Sequence, residues 1–164
     1  MVRPIRYPQM YEGPEGPRPA NFAGTNMLVD GLPPGAPEAI LEHLETATAP
    51  MAAAQIRVLG GAMARVPDAA TAFGHRAANL SLNVAAMYGS PEEGPEHEAW
   101  ASSLAVALSD GAAGAFVGFL GDEGEPGVRR CYPPATLERL AEVKRSYDPD
   151  NLFRLNQNVP PAVK

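Results

Sequence analysis

Residues 75–88, HRAANLSLNVAAMY, constrain the fold more than any other stretch, because Leu80, Leu82 and Val84 interleave with Ser81 and Asn83 at period two. Side chains two apart share a strand face, so this run predicts a half-buried strand of an antiparallel sheet. A sheet with one apolar face needs a cover. From Pro37 onward, Ile40, Leu41, Leu44 and Ala47 fall on one helical face and leave Glu38, Glu42 and Glu45 for water. After the acidic loop 89–96, Trp100, Leu104 and Leu108 recur at four-residue spacing and predict a second helix with a core stripe. A last helix is expected from Pro134, a favoured first-turn residue, with Leu137, Leu140, Ala141 and Lys144 on one side and a stop before Asp148–Pro149. Residues 53–59, AAQIRVL, predict a strand ending at Gly60–Gly61, and the very apolar 114–120 predicts a central strand followed by a turn-rich GDEGEPG. The expected fold is therefore α+β: an antiparallel β-sheet with helices packed on one face, an extended N-terminal arm and a C-terminal tail.

A chain of 164 residues can bury roughly 70% of its unfolded surface, enough for one ordinary core. One domain over 1–164 is expected. Residues 1–35 are rich in Pro and Gly and suit an extended arm with one short strand near Met27–Val29. Helix, strand, strand and helix follow over 36–113, and a C-terminal segment fills 114–161. With 19 acidic against 13 basic residues the net charge is −6, which repels nucleic-acid backbones and anionic lipid surfaces. Arg3 and Arg6 run into a series of prolines with no apolar stretch behind them, so no signal peptide is expected and a soluble, cytoplasmic chain is the expectation. The longest apolar run, 111–121, is too short to span a bilayer.

Most motifs that could carry chemistry read better as structure. Cys131 is the lone cysteine, which rules out an internal disulfide; Arg129 and Arg130 could favour its thiolate, but packing is the better reading. Gly60–Gly61 lacks the pattern of a phosphate-cradling loop, and Asp122, Glu123 and Glu125 in GDEGEPG would repel phosphate. Asp148, Asp150 and Asn151 lack the glycine and distal glutamate of a calcium loop and read as a helix-terminating turn. No metal site is expected. His75 and Arg76 head a strand with no triad partners, while His43 and His97, among glutamates, read as solvated.

The chain closes on YDPDNLFRLNQNVPP at 147–161, preceded in order by LGGAMARV at 59–66, ATAFGHR at 70–76, GAFVGFLGDEGE at 114–125 and LERLAEVKRSYDP at 137–149. This series resembles the C-terminal third of the berberine-bridge-enzyme-like FAD-linked oxidases. The resemblance implies a substrate-side domain of an FAD-dependent oxidoreductase that oxidises a small organic molecule by hydride transfer to flavin. It implies FAD as cofactor, held only with a complementary flavin-binding domain from another chain or a missing portion of the gene. Asn156 and Asn158 would then help fix the isoalloxazine end.

The family usually places a Tyr and an Asn where this chain has Phe116 and Gly118. A Phe has no proton to exchange and a Gly offers no side-chain hydrogen bond, so phenol-assisted oxidation at this position is impossible. The expectation is an oxidoreductase domain incomplete on its own, with self-association or docking through the face meant for flavin. The alternative is a non-catalytic small-ligand or protein-binding module derived from that domain.

Overall fold

A computed structural model describes residues 6–10, 21–109 and 114–163 of the chain. Three strands form one antiparallel sheet: β1 (Asn21–Val29), β2 (Met51–Val58) and β3 (Leu80–Tyr88), in the order β1-β3-β2. The period-two run is β3, and it is central. Its register sets Leu82 opposite Met27 on one side and Ile56 on the other. Because β1 and β2 both run against β3, they are parallel to each other, and the helix between them, α1 (Ala36–Thr46), crosses from one edge to the other.

The helices cover one face. Odd residues of β1 and even residues of β3 point to α2 (Gly94–Leu108), so Met27, Val29, Leu82 and Val84 meet Leu104 and Leu108 in a dry core, with Ile40, Ala54 and Trp100 at its margin. Leu104 and Leu108 are at most 1% exposed. The Trp100 indole donates from Nε1 to the carbonyl of His43, 2.8 Å away, which ties α2 to α1 without leaving a buried polar atom unpaired. The α+β architecture with helices on one sheet face is thus as expected from the pattern.

Four local expectations are corrected. The arm was to hold one short strand, but β1 runs nine residues and pairs with β3 along its whole length; residues 1–5 and 11–20 of that arm lie outside the described residues. Leu41, expected on the core face of α1, is 61% exposed. His97 is buried rather than solvated, its ring 4.6 Å from that of Tyr88, and His43 is half-buried, holding Ala39 O through Nδ1 and Ser103 Oγ through Nε2. GDEGEPG is not all loop: α3 (Gly124–Cys131) begins inside it, with Pro126 in the first turn, where its missing N–H costs nothing.

The last helix, α4 (Pro134–Tyr147), keeps its predicted stripe half-buried and ends where expected. Asp148 explains the ending. Its carboxylate accepts from the backbone N–H of Leu152 at 2.7 Å and of Phe153 at 3.0 Å, and it pairs with Lys144 one turn earlier. Asn151 takes a left-handed φ of 51°, which turns the chain back.

Candidate functional site

Among the described residues no α-helix covers the other sheet face, and its side chains form transverse rows. Phe22, Met87 and Met51 make one row, then come Gly24, Ala85 and Ala53, then the amides Asn26, Asn83 and Gln55, and finally Leu28, Ser81 and Arg57. Small residues in the second row and polar ones in the third make a shallow platform, unlike the mostly apolar face behind it.

Segment 114–121 lies against the β1 side of this platform. Expected as a central strand, it forms only one bridge, Leu28 to Gly114, before turning through a 3-10 turn at Val117–Phe119. Asn26 accounts for the departure. Fully buried, it donates from Nδ2 to Ser81 Oγ, the Leu82 carbonyl and Asn83 Oδ1, and its Oδ1 accepts the backbone N–H of Phe116 at 2.6 Å. A side chain thus takes the donor that a ladder would have used, and the strand stops. Without a β ladder, Phe116, Gly118 and Leu120 do not share one strand face.

Arg130 locks the arrangement from α3. It donates to the Asn26 carbonyl at 2.8 Å and pairs with Glu123, whose other oxygen accepts the Thr25 hydroxyl. Ala115 in turn donates to the Arg130 carbonyl at 3.1 Å. Asn26 and Arg130 escaped notice as site residues. For Asn26 the signal was an amide standing directly ahead of the apolar run Met27, Leu28 and Val29.

Phe116, Phe119 and Phe73 form a cluster, with centroids 5.5 Å apart for Phe116–Phe119 and 6.1 Å for Phe73–Phe116. Phe116 is 41% exposed and lines a slot of about 240 Å³. Gly118 belongs to a different space. It lines a groove of about 630 Å³ with Phe22, Asp122 and the tail residues Asn156 and Gln157. A Cβ on Gly118 would stand 2.9 Å from the Phe116 ring, so the ring occupies the space that a side chain there would need.

The tail reaches the groove by defined contacts. Gln157 donates to the Gly121 carbonyl at 2.9 Å, and Gly121 sits so close to β1 that a Cβ would fall 2.4 Å from the Gly24 carbonyl. Asn156 adopts a left-handed φ of 59°, and its carbonyl accepts the N–H of Asn158 at 3.0 Å. The Asn158 Oδ1 is buried with no hydrogen-bond partner among the described residues. Asn156 and Gly118 therefore share one groove, while Phe116 opens into the neighbouring slot.

Other candidates settle as structural. Cys131 is buried, and burial pushes its thiol up to about 11 against the pull of Arg130, in keeping with the packing reading rather than a thiolate. His75 packs edge-on to Phe73, and its Nε2 finds no partner among the described residues.

The profile of the family described as "Berberine and berberine like" matches residues 121–160, which hold α3, α4 and the groove-lining tail. The chain belongs to the berberine-bridge-like family. It is 31% identical over 155 residues to the FAD-linked oxidoreductase YgaK of Bacillus subtilis, a match covering 92% of this chain and 34% of that protein. It is 34% identical over 131 residues to berberine bridge enzyme-like 6 of Arabidopsis thaliana, covering 66% of this chain and 23% of the relative. The fold matches BBE-like 1 of Physcomitrella patens with a TM-score of 0.75 at 19% identity, over 98% of this chain and 34% of the other. The matches of this berberine-bridge-like chain thus span between about a quarter and a third of the length of these relatives. YgaK and a second Bacillus subtilis relative, YvdP, are FAD-linked oxidoreductases by name. Among the described residues no helix is long and apolar enough to cross a membrane.

Proposed function

We propose that this chain is the substrate-side portion of an FAD-dependent oxidoreductase, whose bare sheet face and NQN tail close over the ring end of a flavin held by a separate flavin-binding domain. The observation that carries this reading is the shared groove: Gly118 and Asn156 line it together, and the adjacent Asn158 leaves a buried amide oxygen without a partner. Buried polar atoms in folded proteins are almost always paired, so the orphan fits a group supplied from outside the chain. The residues suit one part of FAD only. Amides, a glycine and Phe22 accommodate a flat heteroaromatic edge, whereas Asp122 and the lack of any lysine or arginine among the lining residues disfavour a diphosphate.

FAD, when bound, accepts the electron pair released as a substrate C–H bond is oxidised. The chain's own residues would then orient the ring through Asn156 and Asn158 and exclude water with Phe22, Phe116 and Phe119. Phe116 moves no proton, so the base that assists the oxidation lies elsewhere.

Alone, the chain should be colourless and should not retain FAD through gel filtration. Mixed with a berberine-bridge-like flavin domain, it should quench flavin fluorescence, and deletion of 155–164 should weaken that effect while far-UV circular dichroism stays unchanged. Equal behaviour of the intact and shortened chains would take the tail out of the site. That result would favour a second reading, supported by the apolar slot beside Phe116, of a ligand-binding module without redox chemistry.

A further inference from the structure

We propose that the slot between Phe73, Phe116 and Phe119 binds a small aromatic carboxylate, with the ring among the phenylalanines and the carboxylate on Arg57. The slot lies on the bare sheet face beyond the amide row, floored by Leu28 and Ser81. Its volume of about 240 Å³ is below the roughly 300–1,000 Å³ of drug-sized sites, which limits the occupant to one ring with a short arm. The three phenylalanines already meet in edge and tilted contacts, a geometry that continues naturally onto a further ring.

Arg57 supplies the charge preference. Its guanidinium lies 4.4 Å from the Phe119 centroid, and among the described residues no carboxylate is within ion-pair distance of it. The Phe119 ring holds the guanidinium beside the slot, and its planar fork of N–H donors is the kind that carboxylates accept in pairs. In a chain of net charge −6, a cation left unpaired beside an apolar slot selects an anionic ligand. Ser81 also lines the slot; its hydroxyl oxygen accepts from Asn26, so its own hydrogen remains to be donated. That the acid would be the oxidised substrate, or part of one, rests on the proposed function; that it binds does not.

The test is calorimetric titration of the full chain with trans-cinnamate and with its neutral counterpart, cinnamyl alcohol. Cinnamate should bind more tightly and weaken as sodium chloride rises, while the alcohol should be indifferent to salt. Arg57→Gln, an exposed change that leaves the core alone, should weaken cinnamate about three- to tenfold and leave the alcohol unaltered. Amide resonances of Ser81, Phe116 and Phe119 should shift on addition of cinnamate. Absent saturable binding, equal affinity for acid and alcohol, or an Arg57→Gln chain that binds cinnamate as well as the parent would each overturn the proposal. Because no flavin is present, these outcomes are independent of the tail-deletion result.

Discussion

The two faces of one sheet have been put to opposite uses. Behind β3, Leu82 and Val84 point into an apolar core closed by α2. In front, Ser81 and Asn83, one residue away, belong to rows of amides, small side chains and a guanidinium that no α-helix covers among the described residues. A half-buried strand therefore separates stability from recognition residue by residue. Asn26 serves both, since its buried amide ties the bare face to the loop that shapes the groove and the slot.

If that division holds, damage to the covered face should be the most destabilising. Leu104→Ala, at a fully buried site, should cost about 2–5 kcal/mol in denaturant unfolding; a loss below about 1 kcal/mol would mean that the core can collapse around the gap. Next comes the residue shared by both faces. Asn26→Ala should cost about 1–3 kcal/mol, because the Phe116 N–H and the acceptors around Asn26 lose their partner, and hydrogen exchange at Phe116 should accelerate more than at Leu82. Gln55→Ala, in the same transverse row but exposed, should change stability by no more than about 0.5 kcal/mol. A large effect there would break the comparison.

The tail offers a subtler probe. The Lys144 ammonium bonded to Asp148 holds its carboxyl below the usual value, helped by the Leu152 and Phe153 amides. A carboxyl with a depressed folded pKa adds stability above its unfolded pKa of about 3.9 and loses it as pH falls through the lower folded value. The advantage of the parent over Asp148→Asn in thermal unfolding should thus be full at pH 7 and shrink below about pH 4. A constant gap down to pH 2 would remove the charge from the turn.

The chain's own pattern determined the covered face and the end of the last helix. Leu80, Leu82 and Val84 at period two and Trp100, Leu104 and Leu108 at four-residue spacing need no partner to reveal which side is apolar, because strand and helix geometry alone set it. The DPDN turn was equally legible, since Asp148 bonds to amides only a few residues ahead. Tertiary structure decided the rest. Residues 114–120 have the composition of a strand, yet Asn26, some ninety residues earlier, takes the Phe116 N–H and ends the ladder. His97 looked solvated among glutamates until Tyr88 covered it. Arg57 reads as an outward residue of an edge strand, and only the placement of Phe119 gives its charge a site to serve. Local patterns report what a residue does to its own helix or strand; contacts between distant residues depend on which elements pack together, and that is settled only when the core closes.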